Sequence, residues 1–308
     1  MSRKPAPLPA ELSGHPFHVR DARKLGVSDA RLRALDLAHP YRGVCSSTAL
    51  PLAASLRERC LEYAPRLKHG EFYSHETALA LLGVPVPPSA NRELHVSVHR
   101  PPHPPRIAGI RGHRLQRREP LLHPDAELPV ESPARAWRQS AARWGVEDLV
   151  IAADHLILPR NGLLKPADLG AEVQLMGDTR DKRLGRALAL MRPGSESPGE
   201  TKTRLVVWRA GLPEPELNWD LYDDDGVHIA RFDMAYVRQR VCVEYDGRIH
   251  ADDVRQFERD ADRWEAVRRH GWLMVRILRH HLNGPAPTAA RLIEDALRER
   301  GWRPGAVV

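Results

Sequence analysis

Apolar positions along the chain change period from one stretch to the next, and the changes divide it into four parts. From His15 to about Ser47 short amphipathic segments dominate. Phe17 to Leu25 reads as a helix, Gly26-Val27-Ser28 as a turn, and Ser28 to Leu37 as a second helix carrying Leu32 and Leu35, with Ser28 as its N-cap. After Pro40, Tyr41-Arg42-Gly43-Val44-Cys45 reads as a short wing strand. Between about Gly70 and Gln116 the pattern is mixed. Ser74 to Leu82 is helical and stops at Gly83, Leu94, Val96 and Val98 alternate as in a strand, and Arg106 to Leu115 is a further strand. Helices return from Ser132 to about Ala189, and Met191 to Gly199, rich in Pro, Gly and Ser, reads as a linker.

The remaining stretch predicts helix, three strands, helix, strand, helix. Ser197-Pro198-Gly199-Glu200 opens the first helix, with Leu205, Trp208 and Leu212 on its apolar face. Asp225-Gly226 is a hairpin turn between strands near 216–221 and 227–236, and Val241 to Tyr245 is the third strand. Val254, Phe257, Ala261, Trp264 and Val267 have helical spacing up to Gly271, Trp272 to Leu278 is a strand, and Thr288 caps a final helix. The expected class is therefore a multidomain α+β (α/β) chain. A helix-turn-helix with a wing occupies 1–65, a mixed α/β region 66–190, and an α/β core 191–308.

Alternation also places the chemistry. Phe232, Met234 and Tyr236 are expected on one face of their strand and Asp233 on the other. Val241, Val243 and Tyr245 likewise leave Cys242, Glu244 and Asp246 on the opposite face. A turn centred between Arg238 and Gln239 sets Asp233 directly across from Glu244, where opposed Cβ atoms lie about 4.5 to 5.5 Å apart. Two like charges there destabilise a merely structural sheet, and a divalent cation between them reverses the sign. Hard carboxylate oxygens at that spacing suit Mg²⁺ or Mn²⁺. Plainer accounts compete for some neighbours. Ser197 and Glu200 form a capping box that needs no metal, Arg263 has Asp260 and Glu258 as surface partners, and Asp220 to Asp225 is a surface turn.

Composition changes this picture little. The 308 residues carry 47 Lys+Arg against 40 Asp+Glu, a formal charge of +7 that favours nucleic acid through counterion release. Arginine supplies most of the positive charge and suits phosphate recognition, although arginine-rich usage also marks GC-rich genomes. No apolar run reaches the roughly 18 to 20 residues that span a bilayer, so no membrane partner is expected. The Pro-rich start lacks the apolar stretch of a secretion signal. Three dispersed cysteines, Cys45, Cys60 and Cys242, fit a reducing cytoplasm rather than a disulfide framework.

Glu200, Asp233 and Val243-Glu244-Tyr245-Asp246-Gly247, followed by His250, resemble the PD-(D/E)XK nuclease superfamily, and within it the branch near very-short-patch-repair endonucleases. Asp260-Ala261-Asp262-Arg263 and Gly271-Trp272 leading to Val275-Arg276 match that branch too. The resemblance spans about residues 195–282. It implies a restriction-endonuclease-like fold cutting DNA, with Asp233 and Glu244 holding Mg²⁺ or Mn²⁺ and Glu200 reaching the ion. It also implies that the metal activates water and stabilises the pentavalent phosphate. The superfamily lysine is replaced by Asp246 and its proline by Phe232. His250 is then the candidate proton carrier, and Arg263 and Arg276 the phosphate clamps.

At the front, Ala22, Gly26 and Leu32 have helix-turn-helix spacing, with Arg31 and Arg33 directed outward. With Tyr41-Arg42-Gly43-Val44 this resembles the winged helix of abortive-infection (type IV) antitoxins, and the stretch through Leu115 and Ser132-Pro133-Ala134-Arg135 resembles their middle part. That resemblance implies DNA contacts from Arg31, Arg33 and Arg42, and it admits a homodimer and a toxin as protein partners. The expectation is a Mg²⁺-dependent DNA endonuclease. The alternative is a non-catalytic DNA-binding regulator with a degenerate nuclease fold, and an RNA substrate stays open.

Overall fold

A computed structural model describes residues 5–51, 54–91, 93–116, 122–123, 127–247, 254–284 and 288–305. At the front, β1 (Phe17–His18) pairs antiparallel with β2 (Val44–Cys45), and between them lie α1 (Val19–Lys24) and α2 (Asp29–Leu32). Phe17 and His18 are thus a strand, not the start of a helix, because the backbone of Phe17 pairs with Cys45 while its ring enters the small core. His18 caps α1 by accepting the Arg20 N–H on Nδ1. Ala22 is fully buried where the helices cross, and Gly26 supplies the left-handed turn at φ +80°.

Ser28 caps α2 as expected, but the helix is a single turn that ends at Leu32 rather than Leu37. The chain then bends so that Leu37 fills the core and Leu35 is left in solvent. The outward direction expected of Arg31 is corrected. Its guanidinium clamps that bend by a bidentate pair with Asp36 at 2.9 and 2.8 Å, and its side chain is only 11% exposed. Arg33 and Arg42 are exposed.

Next come α3 (Leu56–Tyr63), β3 (Glu71–Tyr73), α4 (His75–Leu81), β4 (Leu94–His99), β5 (Ile110–Leu115) and α5 (Pro133–Ser140). The sheet order is β3-β4-β5, with β3 and β4 antiparallel and β4 and β5 parallel. Leu94, Val96 and Ile110 pack with Cys60, Tyr63 and Tyr73 on one face. The alternate positions His95 and Ser97 bond α4 or its N-cap instead, His95 N–H to Thr77 and the Ser97 hydroxyl to Ser74.

The division between the two compact units falls between Arg143 and Trp144. The second unit begins with α6 (Val146–Ile157), α7 (Pro166–Met176) and α8 (Arg183–Leu190), followed by α9 (Pro198–Arg209). The stretch expected to be a linker is tied down inside this unit. Asp154 on α6 is fully buried, and a buried carboxylate needs donors. It accepts from the Arg192 N–H at 2.8 Å, the Thr201 hydroxyl at 3.0 Å and the Arg204 guanidinium at 2.7 Å. Three helices that read as part of the middle region thereby share a unit with the C-terminal sheet.

That sheet comprises β6 (Glu216–Tyr222), β7 (His228–Tyr236), β8 (Val241–Asp246) and β9 (Leu273–Leu278), in the order β6-β7-β8-β9. The first three run antiparallel, and β9 lies parallel to β8 after the crossover helix α10 (Val254–Arg269), which Gly271 ends at φ +79°. Helix α11 (Thr288–Glu299) closes the order helix, three strands, helix, strand, helix. Val206, Val207, Met234, Val243, Ile277 and Ile293 form the core on the α9 and α11 side. Trp208 is 57% exposed and takes no part in it, because Val206 and Val207 supply the packing face of α9. No helix among the described residues is long and apolar enough to cross a membrane.

Removing Asp154 leaves the buried Arg204 charge without its carboxylate, so Asp154→Ala is expected to destabilise the second unit by about 3 to 5 kcal/mol. Urea unfolding measures this. A loss below about 1 kcal/mol is the result that contradicts the assignment.

Candidate active site

Two irregularities in the sheet place the first carboxylate. The β6–β7 ladder runs through Leu217↔Met234 and Trp219↔Phe232 but skips the pair between them, Asn218 and Asp233. Asn218 lies in the left-handed region at φ +49°, and its side-chain amide donates to the Gly194 carbonyl. Strand phase reverses there. Leu217 and Met234 face the α9 side, whereas Trp219 and Phe232 join Ala235, Cys242, Val267 and Trp272 on the α10 side. The expectation that Phe232 shares a face with Met234 and Tyr236 is therefore overturned, and Asp233 sits at the reversal.

The second irregularity is between β7 and β8. Their ladder pairs Tyr236 with Val241, Ala235 with Cys242 and Met234 with Val243, around a four-residue loop closed by Arg240 at φ +51°. The same register carries Asp233 toward Glu244, but the ladder stops one step short. There the Asp233 carboxylate itself accepts the Tyr245 N–H at 2.7 Å, replacing a ladder bond with a side-chain bond.

Glu200 comes from the N-terminal turn of α9, where Ser197 caps the Glu200 N–H at 3.2 Å. Its carboxylate accepts the Glu196 N–H at 2.6 Å, one residue outside a capping box. Helix α9 approaches β8 closely at this end, because a Cβ built on Gly199 would fall inside the Tyr245 ring. Glu244 accepts from Arg263 of α10 at 2.9 Å through Oε2 and is also favoured as a carboxylate by the Asp233 backbone, while its buried Oε1 has no well-aligned hydrogen-bond partner among the described residues. Asp246 pairs with Arg276 of β9, whose backbone lies opposite Glu244 in the parallel register and whose guanidinium covers the Trp264 ring at 4.9 Å.

The electrostatics follow from this crowding. Asp233 is pushed up to about 6, first by burial and then by the adjacent Glu244. Glu200 is raised by burial and by Asp233, and Glu244 by burial against the opposing pull of Arg263. Oxygen ligands held this way can take a hard divalent cation. A separate cavity of about 320 Å³, which sequence reasoning missed, is lined by Gly199, Lys202, Arg209, Tyr245 and Arg279 together with Glu147, which pairs with Arg209 at 2.6 Å. His250 lies outside the described residues. Of the expected site residues, Glu200, Asp233 and Glu244 interact with one another, Asp246, Arg263 and Arg276 border them, and Arg33 and Arg42 belong to the first unit.

No protein-family model matches the chain. It is 32% identical over 108 residues to two proteins of Mycobacterium tuberculosis described as uncharacterized, Rv2248 (strain ATCC 25618 / H37Rv) and MT2308 (strain CDC 1551 / Oshkosh). That similarity spans 34% of this chain and 39% of theirs, so the chain matches about two fifths of the length of these relatives. Among solved structures, the crystal structure of RV2827C from Mycobacterium tuberculosis is similar with a TM-score of 0.40 at 14% identity, over 68% of this chain and 84% of that one.

Proposed function

We propose that the second unit is a divalent-metal-dependent nuclease of the PD-(D/E)XK type that hydrolyses DNA phosphodiester bonds. The observation that carries this reading is the meeting of Glu200, Asp233 and Glu244, with Glu244 Oε1 buried and without a well-aligned hydrogen-bond partner among the described residues. An orphaned carboxylate oxygen beside a second carboxylate fits Mg²⁺ or Mn²⁺, with Asp233 and Glu244 as ligands and Glu200 alongside. Such an ion, when bound, supplies Lewis-acid polarisation of a phosphate and a lowered pKa for water.

The chain's own residues do the positioning. The Tyr245 N–H fixes Asp233, the Glu196 N–H fixes Glu200, and Arg263 holds Glu244. Arg276 brings a guanidinium to Asp246, where the superfamily has its lysine, so the missing cation is restored from the neighbouring strand. Lys202 of α9 and Arg279 after β9 are cations that a phosphate backbone can meet, while Arg209 is engaged by Glu147. In the first unit Arg33 and Arg42 are the exposed cations suited to DNA, while Arg31 is spent on Asp36.

One observation favours the non-catalytic regulator. Arg263 and Arg276 already compensate Glu244 and Asp246 without an ion. The two readings differ over metal. The expected result is plasmid cleavage in Mg²⁺ or Mn²⁺ that EDTA abolishes and that Asp233→Ala and Glu244→Ala lower by roughly a hundredfold or more. DNA binding that is indifferent to EDTA, with no cleavage by any form, would instead establish the regulator.

The raised Asp233 pKa also gives a signed pH dependence. A carboxyl that titrates near 6 when folded and at 3.8 otherwise holds its proton more tightly in the native state. Its ionisation therefore costs stability progressively as pH rises from about 4 to about 6, and fully above that. Asp233→Asn is expected to stabilise the metal-free protein at pH 8 by about 1 to 3 kcal/mol, with the gain shrinking below pH 5. Thermal melts of both forms at the two pH values measure this, and a gain independent of pH contradicts it.

A further inference from the structure

In the first unit, the face of the three-stranded sheet away from its apolar cluster is a buried polar layer. Ser74, His75, Glu76, Thr77, His95 and Ser97 are all buried there. An interior gathers so many polar side chains only where hydrogen bonds or a ligand satisfy them.

His95 stands on β4 and His113 on β5, diagonal neighbours because Ser97 pairs with His113 in the parallel register. His75 opens α4 with φ +53°, a left-handed conformation that a non-glycine residue adopts only where its surroundings impose it. Here the His75 N–H donates to Gln139 Oε1 at 3.1 Å, and Nδ1 meets the Ser74 hydroxyl at 2.9 Å. Nε2 is thus the His75 nitrogen left for a ligand.

One nitrogen from each imidazole lies within 4.8 Å of the other two. His113 Nε2 is 3.0 Å from His95 Nδ1, and the His75 and His113 rings stack at 3.8 Å. His95 Nε2 is buried and lies 3.2 Å from Glu76 Oε1, yet off line for a hydrogen bond, so it has no hydrogen-bond partner.

We propose that His75, His95 and His113 bind one divalent transition-metal ion of the zinc class, with His95 offering the Nδ1 that faces His113 and Glu76 standing behind its other nitrogen, Nε2. Three imidazoles are borderline donors that select zinc over the hard ion suited to the carboxylates of the second unit. Zinc–nitrogen bonds of about 2.0 to 2.1 Å separate tetrahedral ligand atoms by about 3.3 Å, so the cluster needs a modest contraction and an opening of the ring stack. With His75 and His95 buried, the ion would be structural, pinning the start of α4 to β4 and β5.

The test uses the full chain, stripped with a chelator, desalted and titrated with Zn²⁺ alone against a chromophoric competitor. The expected result is one equivalent bound, with a Tm rise of about 5 °C or more. Asp233→Asn and Glu244→Gln keep this uptake, whereas His113→Gln weakens it by at least about a hundredfold. X-ray absorption at the zinc edge of the wild-type complex, which needs no variant to fold, is expected to show imidazole scattering without sulfur. Absent stoichiometric uptake, uptake that survives His113→Gln, or a sulfur-containing shell each overturns the site. None of these outcomes depends on whether the second unit cleaves DNA.

Discussion

Carboxylates that meet where water is scarce repel one another across several ångströms, and the end of the second unit's sheet is arranged around that repulsion. Asp233, Glu244 and Glu200 each raise the cost of ionising another, and each has a separate relief: a backbone N–H of Tyr245, the Arg263 guanidinium, and a backbone N–H of Glu196. The strand reversal at Asn218 and Asp233 belongs to the same arrangement, since it turns Asp233 out of the regular pleat and toward the β8 backbone. One Glu244 oxygen has no well-aligned hydrogen-bond partner among the described residues, and this is the opening into which the proposed cation would fit.

The rest of the protein meets the same demand in two other ways. Asp154 is buried with an arginine, a hydroxyl and a backbone N–H gathered around one carboxylate, and the arrangement fastens α6 to α9. In the first unit the buried groups include imidazoles, and His75 and His113 avoid the cost by favouring the neutral form. Burial and the neighbouring rings hold His75 well below its ordinary value and His113 at about 4.

The sequence made the β7–β8 register legible because the loop length and the flanking alternation admit a turn centre that pairs Met234 with Val243. Order and type of the last seven elements were legible for the same reason, strong periodicity between clear turns. Strand phase at Phe232 was not, since the reversal arises from the backbone of Asn218, a residue whose identity gives no warning of it. Composition misled over residues 191–199, where proline and glycine mark a bend that a distant aspartate holds in place. Arg31 misled because its partner Asp36 lies beyond the end of a helix that stops sooner than its apolar residues suggest. The three histidines are far apart in the chain. Their one local sign was His95 and Ser97 filling the positions between Leu94, Val96 and Val98, on a strand buried on both faces.

Gly199 acts as a gauge on the second unit. Its missing side chain leaves room for the Tyr245 ring, and Glu200 is the next residue along the same helical turn. The approach of the third carboxylate to the other two is therefore limited by contact behind the site as well as by the donors within it. A single methyl at that position would serve as a shim, lifting the end of the helix away from β8 while leaving every charge in place. The spacing of such a carboxylate cluster becomes a property of steric backing, separable from the identity of its side chains.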